Sequence, residues 1–247
     1  MSGSADWLAI LDYGTFEVAE DGRQIPILGY AVCTGDRLVL VDTGFPPAYA
    51  ADPAVAGRRD GLDAFGRLVA IGSENLPAAQ LALLGLAPSD MTELVITHGD
   101  IDHVGGIADF PHATIVTSRI EREVGPPRYF GDVRPVAWPT DAHYRLADGD
   151  QEIAPGLTLL ATPGHSPGHL SLLVRLRETG PVLLACDAIS REHELETGVN
   201  GGASDVEQAR ESARRLLEIA AEEDAHLVHG HDPAQRRSLR CAPHVYR

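Results

Sequence analysis

The feature that most limits the possible folds is a series of short apolar runs, several of which end in turns rich in Gly, Pro, His or Asp. Short runs of aliphatic and β-branched residues between turn signals are typical of buried strands. They predict strands at residues 38–41, 94–96, 114–116, 157–160, 170–174 and 182–186. Helical patterns lie between several of these runs, and strands that alternate with helices indicate an α/β protein built in layers.

Three segments carry helical signals. The capping-box pattern of residues 118–121 predicts the start of a short helix, and a second capping box at residues 204–207 precedes a long amphipathic stretch. A third helix is predicted from about Pro77 to Leu84, ending at Gly85, because glycine readily takes the left-handed geometry of a C-cap. Between residues 48 and 75, Gly and Pro interrupt every periodic pattern, so no element is assigned there.

Length and composition indicate one globular domain over residues 1–247. The chain has 247 residues, of which 44% are hydrophobic and 23% charged, which are ordinary values for a protein with a sizeable core. No apolar run approaches the roughly 18 residues needed to cross a membrane. The first residues lack the basic start and long apolar stretch of a secretion signal. We therefore expect a cytoplasmic protein with no membrane partner.

Charge and cysteine content exclude two further classes. Lys and Arg number 20 against 36 Asp and Glu, which gives a net charge of −16 with His neutral. Such a surface repels phosphate backbones, so a nucleic-acid partner is not expected. The three cysteines, Cys33, Cys186 and Cys241, include no closely spaced pair, which fits a reduced cytoplasmic protein rather than a disulfide scaffold.

The most specific motif is a loop that directly follows the strand predicted at residues 94–96. It carries His98, Asp100, Asp102 and His103 within six residues and ends in Gly105-Gly106. A loop frees side chains from the periodicity of a strand or helix, so these four can converge on one point. His and Asp are common ligands of divalent metals. The loop is therefore a candidate metal site.

Three other strand ends carry ligand-type residues. The sequence TPGHSPGH contains His165 and His169, Asp187 follows the run at 182–186, and HGHD contains His229 and His231. Taken alone, each would more often be structural, as a turn histidine or a capping aspartate. Together with the loop at 98–103 they reinforce one another, since α/β folds place their chemistry at strand ends. A metal site is the better interpretation.

These motifs resemble the metallo-β-lactamase superfamily of metal-dependent hydrolases, and most of all its N-acyl-homoserine lactonases. The similarity covers VDTGFP at 41–46, LGLAPSDMTELVITH at 84–98, ATPGHSPGHLSLLV at 161–174, LLACDA at 183–188 and HGHDP at 229–233. It implies an α/β fold of four layers, an αβ/βα sandwich, with the metal ions at one edge.

The resemblance also implies a site for two divalent metal ions, with Zn²⁺ expected. His98 and His165 would bind the first ion together with the residue at position 100. The second ion would be bound by Asp102, His103 and His231, and Asp187 would bridge the two ions. His169 and His229 are expected to support the site or the core, and Asp42 to fix a turn beneath it.

Two positions depart from the lactonase pattern. Position 100 is Asp100 where the family has His, and the added negative charge favours harder ions such as Mn²⁺ or Fe²⁺ and weakens the metal as a Lewis acid. We expect Asp100 to bind the first ion, with a mononuclear site as the alternative. Ser190 stands where the family has a tyrosine that contacts the lactone. Its hydroxyl is too short to replace the phenol directly.

The resemblance implies hydrolysis of an ester-like carbonyl, and most directly the opening of N-acyl-homoserine lactones, which degrades a bacterial signal. Two nearby metal ions lower the pKa of a shared water, so hydroxide can attack near neutral pH. Asp102 is the candidate to accept the proton and pass it to the departing oxygen. No nucleophilic side chain is required, and Cys186 is expected to be a buried, inert thiol.

Other functions stay open at this point. Asp100 and Ser190 leave room for a different hydrolase on the same scaffold, such as a thioesterase or a β-lactamase-like enzyme acting on a small ester. The added carboxylate would also suit a redox enzyme with iron, and a binding module with an impaired metal site is a further alternative. Apolar side chains near Phe45 and at Tyr129-Phe130 are candidates to hold an acyl chain.

Overall fold

A computed structural model describes residues 3–125, 127, 133–198 and 202–247. The strands are β1 (Trp7–Val18), β2 (Gln24–Thr34), β3 (Arg37–Val41), β4 (Gly66–Ala70), β5 (Glu93–Val95), β6 (Thr114–Ser118), β7 (Tyr144–Ala147), β8 (Gln151–Ala154), β9 (Leu157–Ala161), β10 (Leu170–Leu176), β11 (Gly180–Cys186) and β12 (His226–His229). The helices are α1 (Ala48–Ala51), α2 (Pro53–Asp60), α3 (Pro77–Ala82), α4 (Ile101–Val104), α5 (Arg119–Glu123), α6 (Glu192–Thr197), α7 (Val206–Glu222) and α8 (Pro233–Arg236).

The strands form two mixed sheets. The first has seven strands in the order β4-β1-β2-β3-β5-β6-β7, and the second has five in the order β12-β11-β10-β9-β8. In the first sheet β1 to β4 pair antiparallel, whereas β3, β5, β6 and β7 pair parallel. In the second sheet only β11 and β12 pair parallel. Parallel pairing places the carboxyl ends of β3, β5 and β6 at one edge of the first sheet.

Three apolar clusters account for the layers. Alternate residues of the long strand β1 point in opposite directions, so Leu8 and Ile10 pack against the second sheet, for example against Leu172. Ala9 and Leu11 instead pack against helices outside the first sheet. A third cluster joins the outer face of the second sheet to α7. The predicted four-layer αβ/βα sandwich is confirmed.

The long helix α7 was predicted correctly, but its first turn was not. Ala213 and Leu216 pack against the second sheet and Ala209 is also buried, as the amphipathic pattern indicated. The N-cap, however, is Asp205, whose carboxylate accepts a hydrogen bond from the backbone of Gln208 at 3.0 Å. Ser204, the cap expected from the capping-box pattern, instead donates its hydroxyl to the carbonyl of Gly164 at 3.0 Å. That bond anchors the loop that carries His165.

Most predicted strands lie within a residue or two of the observed ones, while the N-terminal hairpin of β1 and β2 was missed. Both faces of this hairpin are covered, one by the second sheet and one by helices, so it lacks the apolar-polar alternation of a half-exposed strand. The unassigned segment at 48–75 contains α1, α2 and the edge strand β4. Across the described residues, no helix combines the length and apolar character required to span a bilayer.

Candidate metal centre

The candidate ligands gather at one edge of the sandwich, where both sheets contribute. His98 to His103 follow β5 of the first sheet, and α4 begins inside this loop. His165 follows β9, Asp187 follows β11 and His231 follows β12, all strands of the second sheet. The structure therefore brings together all the strand-end residues that the sequence singled out.

The first group surrounds the Nε2 atoms of His98 and His165. Asp100 Oδ2 lies 3.6 Å from His98 Nε2 and 3.1 Å from His165 Nε2. Asp187 Oδ2 lies 3.9 Å from His98 Nε2 and 3.5 Å from His165 Nε2. Asp100 thus points at the same two imidazoles as the bridging candidate Asp187, despite being one position where the residue type departs from the family pattern.

The second group surrounds the other oxygen of Asp187. Asp187 Oδ1 lies 3.4 Å from His103 Nε2 and 3.1 Å from His231 Nε2. Asp102 Oδ2 lies 3.5 Å from His103 Nε2 and 3.7 Å from His231 Nε2. Asp187 therefore lies between the two groups and offers one oxygen to each.

The donor atoms fit a pair of divalent ions. Within the described residues, His98 Nε2, His103 Nε2 and Asp187 Oδ1 are buried without a hydrogen-bond partner. Leaving such atoms unpaired is costly unless another ligand satisfies them. A zinc ion binds imidazole nitrogen at about 2.0–2.1 Å, which separates neighbouring ligands of a tetrahedron by about 3.3 Å. The separations within each group lie close to that spacing.

Hydrogen bonds behind the site orient three imidazole rings. His231 Nδ1 donates to the carbonyl of Pro26 at 2.8 Å, and His103 Nδ1 lies 2.8 Å from Asp42 Oδ2. Thr97 donates its hydroxyl to Asp42 at 2.8 Å, so its oxygen is left to accept from His98 Nδ1 at 3.1 Å. With Nδ1 engaged in each ring, Nε2 is the nitrogen that faces the site, as is usual for metal-binding histidines.

Asp42 and His169 contact the site from behind, in agreement with the roles expected of them. Asp42 has a positive φ of 59° and also accepts from the backbone of Thr97 at 2.9 Å. His169 Nε2 accepts from the backbone N–H of Asp187 at 3.1 Å. Burial lowers the pKa of His169 well below its usual value, which keeps this imidazole neutral and able to accept.

A cavity of about 520 Å³ opens onto both groups of candidate ligands. Asp100, Asp102, His165, Asp187 and His231 line its floor. Apolar side chains form much of its wall, namely Phe16, Val18, Ile25, Ile27, Phe45, Leu62 and Phe65. The candidate Phe45 therefore lines this cavity, whereas Tyr129 and Phe130 lie outside the described residues.

Residues 23–231 match the family model of the metallo-beta-lactamase superfamily. The chain belongs to this superfamily. The curated relatives include N-acyl homoserine lactonases from Bacillus thuringiensis, 32% identical over 223 residues, which span 89% of this chain and 86% of the relative. The lactonase AttM of Rhizobium radiobacter is 34% identical over 178 residues, which span 68% of each chain.

The solved structures that resemble this chain include N-acyl homoserine lactone hydrolases of the same superfamily. An N-acyl homoserine lactone hydrolase, with N-hexanoyl-L-homoserine bound at its catalytic metal centre, has a TM-score of 0.85 and 28% identity. The match covers 98% of this chain and 100% of that one. A variant of the B. thuringiensis lactonase AiiA with N-decanoyl-L-homoserine at its active site has a TM-score of 0.84, also at 28% identity, and covers 98% of this chain and all of the other. The chain is accordingly a hydrolase with a divalent-metal site.

One buried residue behind this superfamily site was missed. Glu121 is 1% exposed; its Oε1 accepts from Gly99 N at 2.9 Å, and its Oε2 accepts from Ser166 Oγ at 2.7 Å and Gly168 N at 3.0 Å. It therefore ties the loop of His98 to the loop of His165. In the sequence, Glu121 had a plausible role as the last residue of a capping box, and this role hid the long-range contact. Only the Ser118 half of that box forms.

Cys186 and Ser190 lie on either side of the candidate ligand Asp187 along the chain. Cys186 is buried, as expected, and burial raises the pKa of its thiol well above the usual range. Its backbone is unusual for a strand end, with a positive φ of 49°. Ser190 lines the cavity; its carbonyl accepts from His231 N at 2.8 Å and its N–H donates to Glu194 at 3.0 Å.

We expect metal binding to release protons, so that metal affinity decreases as the pH falls below about 9. In the metal-free site burial lowers the pKa of His231, but the carboxylates of Asp187 and Asp102 more than offset this and raise it to about 9. His231 is therefore protonated at pH 7, and a metal ion binds only the neutral ring. Each proton displaced costs up to about tenfold in affinity per pH unit.

Calorimetry of metal binding at pH 7, in buffers with different ionisation enthalpies, measures the number of protons released. We expect at least about one proton per protein, since His231 is protonated below pH 9 in the metal-free form. Metal binding without proton release at pH 7, and with the same affinity at pH 9, would contradict this linkage.

Proposed function

We propose that this chain is a metal-dependent lactonase that opens N-acyl-homoserine lactones, with residues 1–247 acting as one hydrolase domain. One observation carries the proposal: Asp187 lies between two groups of His and Asp side chains at the floor of a cavity with an apolar wall. The floor suits a polar ester group and the wall suits an acyl chain. The similarity to lactonases with bound acyl-homoserine products supports this choice of substrate.

We assign two divalent ions to the site, with Zn²⁺ as the first candidate and Mn²⁺ or Fe²⁺ favoured by the carboxylate of Asp100. The proposed ligands are His98, Asp100 and His165 for one ion, Asp102, His103 and His231 for the other, and Asp187 for both. When bound, such ions supply Lewis acidity that activates water and polarises an ester carbonyl near neutral pH. The role of the chain is to hold them beside the substrate cavity.

Asp102 is proposed to move the proton during ring opening. Its carboxylate lines the cavity and is 17% exposed, so it can reach both substrate and water. Burial raises its pKa, but His103 and His231 lower it overall, which keeps the carboxylate ionised and able to accept a proton. Passing that proton to the departing ring oxygen completes the hydrolysis, in which water adds across the ester bond.

Proton release tests this function directly. Adding N-hexanoyl-homoserine lactone to metal-loaded protein in weak buffer should acidify the solution continuously, because ring opening converts a neutral lactone to a carboxylic acid. In Asp102→Asn the rate should fall by at least about a hundredfold. Metal content is measured for both proteins, so that loss of an ion is distinguished from loss of the proton acceptor.

A panel of thioesters and β-lactams in the same assay separates the proposal from other hydrolases of this fold. Ser190, at the position of the family tyrosine, is the observation that makes the panel necessary. If protein that holds two ions hydrolyses a thioester or a β-lactam but no lactone, the lactonase assignment is wrong. Hydrolysis of lactones alone supports it.

A further inference from the structure

Two arginines line the cavity beside the metal centre. Arg23 lies in the turn between β1 and β2, and Arg191 lies between Ser190 and α6. Both contribute to the same cavity as Asp102 and His231. In a protein with a net charge of −16, two cations in the lining of a cavity that also has a large apolar wall require an explanation. Buried or half-buried guanidinium groups usually bind carboxylate or phosphate.

The guanidinium of Arg191 is largely covered but poorly satisfied. Its side chain is 21% exposed, and its nearest carboxylate oxygen is Glu194 Oε1, 3.8 Å from Nε and beyond hydrogen-bonding distance. Among the described residues it makes no hydrogen bond, although a guanidinium has five N–H donors. Glu194 itself is 6% exposed and already accepts from the backbone of Ser190 at 3.0 Å.

Arg23 also has a donor left over. Its terminal nitrogen forms an ion pair with Asp21, yet its Nε is buried and lacks a hydrogen-bond partner among the described residues. A backbone hydrogen bond from Arg23 lowers the pKa of Asp21 most, and the charges of Arg23 and Arg191 lower it further. The charges of both guanidinium groups thus act on Asp21, and both side chains line the same cavity.

The acidic residues nearby do not neutralise this pair fully. Glu194 is held by Ser190, and burial is the main cause of its raised pKa, which weakens it as a counter-ion. Asp21 engages only one guanidinium nitrogen of Arg23, besides its backbone N–H, and Glu20 lines the cavity without a hydrogen bond to either arginine. Among the described residues Arg191 makes no side-chain hydrogen bond, and both arginines line the volume that a ligand would fill.

We propose that the substrate of this site is an acyl lactone whose acyl arm ends in a carboxylate, bound by Arg191 and Arg23. The apolar wall holds the methylene groups of the arm, and the two guanidinium groups provide donors for the oxygens at its end. A carboxylate fits best because it is planar and accepts two parallel hydrogen bonds from one guanidinium. The proposal rests on the lactonase function and names the substrate class within it.

Binding of ring-opened products tests the subsite without turnover. The two ligands are N-hexanoyl-homoserine and its adipoyl analogue, which has a carboxylate in place of the terminal methyl. Calorimetry with metal-loaded wild-type protein should show at least about tenfold tighter binding of the adipoyl compound, since charge-assisted hydrogen bonds are strong in a covered site. In Arg191→Gln this advantage should be lost, while Arg237→Gln, an exposed arginine of the surface, should keep it.

Ratios of kcat/KM for the two parent lactones give an independent readout, and they should change in parallel with the binding ratios. Equal or weaker binding of the adipoyl compound by wild-type protein overturns the proposal. So does an advantage that survives in both Arg191→Gln and Arg23→Gln. If the adipoyl product binds through Arg191 but no lactone is opened, the reaction is wrong and the subsite stands. If both lactones are opened at the same kcat/KM, the lactonase function stands and the carboxylate subsite is wrong.

Discussion

Asp187→Asn is expected to abolish hydrolysis and to reduce the bound metal from two ions to one or none. The two carboxylate oxygens face different histidines, Oδ2 towards His98 and His165 and Oδ1 towards His103 and His231. An amide keeps the shape of the side chain but offers one oxygen instead of two, and it carries no charge. We expect turnover to fall by about a thousandfold or more, since the metal centre supplies most of the carbonyl activation.

Elemental analysis after dialysis and initial rates with a lactone measure the two effects. Asp141→Asn, on the exposed segment before β7, is the matched control and should keep both metal and activity. Unaltered metal content together with unaltered rate in Asp187→Asn would show that Asp187 does not bridge the ions. Loss of activity with both ions retained would show that Asp187 contributes its negative charge and is not needed to hold the ions.

Glu121→Ala is expected to destabilise the metal-free protein by about 3–5 kcal/mol. The substitution leaves three buried donors, the N–H groups of Gly99 and Gly168 and the hydroxyl of Ser166, without their acceptor. Each unsatisfied buried donor costs about 1–3 kcal/mol, and a water that enters the space left by the side chain recovers part of the total. Glu121→Gln, which retains one acceptor oxygen, should cost less.

Urea unfolding of the metal-free proteins measures the change without the contribution of metal binding. Glu123→Ala, on the same short helix but exposed, is the control and should change stability by less than about 0.5 kcal/mol. Glu121→Ala should also lower the affinity for the ion proposed at His98 and His165, because the loops of these two residues are no longer joined. Equal stability of the variants at positions 121 and 123 would show that water replaces the carboxylate without loss.

The candidate ligands were predictable because each lies in a short motif at the end of an apolar run. His98 to His103 and His165 are identifiable from a few neighbouring residues, and the resemblance to the lactonases supplied their grouping into two sets. The partners that orient them were not predictable in the same way. His231 bonds the carbonyl of Pro26, which is 205 positions away, and any residue type offers a carbonyl. Such contacts leave no trace in local sequence.

The fold was predictable to a similar extent. Strands that form the centre of each sheet, such as β11, are continuous apolar runs and were found. The hairpin of β1 and β2 was missed because cover on both faces removes the period-two signal, and a bulge between Asp12 and Thr15 interrupts its register. The N-cap of α7 is Asp205 rather than Ser204. Sequence alone could not choose between these adjacent residues, because both cap helices well. The tertiary contact of Ser204 with Gly164 decides between them.

Because loops of both sheets contribute the candidate ligands, metal binding would affect the lifetime of the protein. The loop after β5 and the loops after β9, β11 and β12 approach one another only while the two sheets remain stacked. Metal ions bound between these loops would link the two sheets, and they would stabilise the folded state with the logarithm of their free concentration above the dissociation constant. When free metal is scarce, the protein would lose activity and folding stability together, and proteases would then degrade it faster.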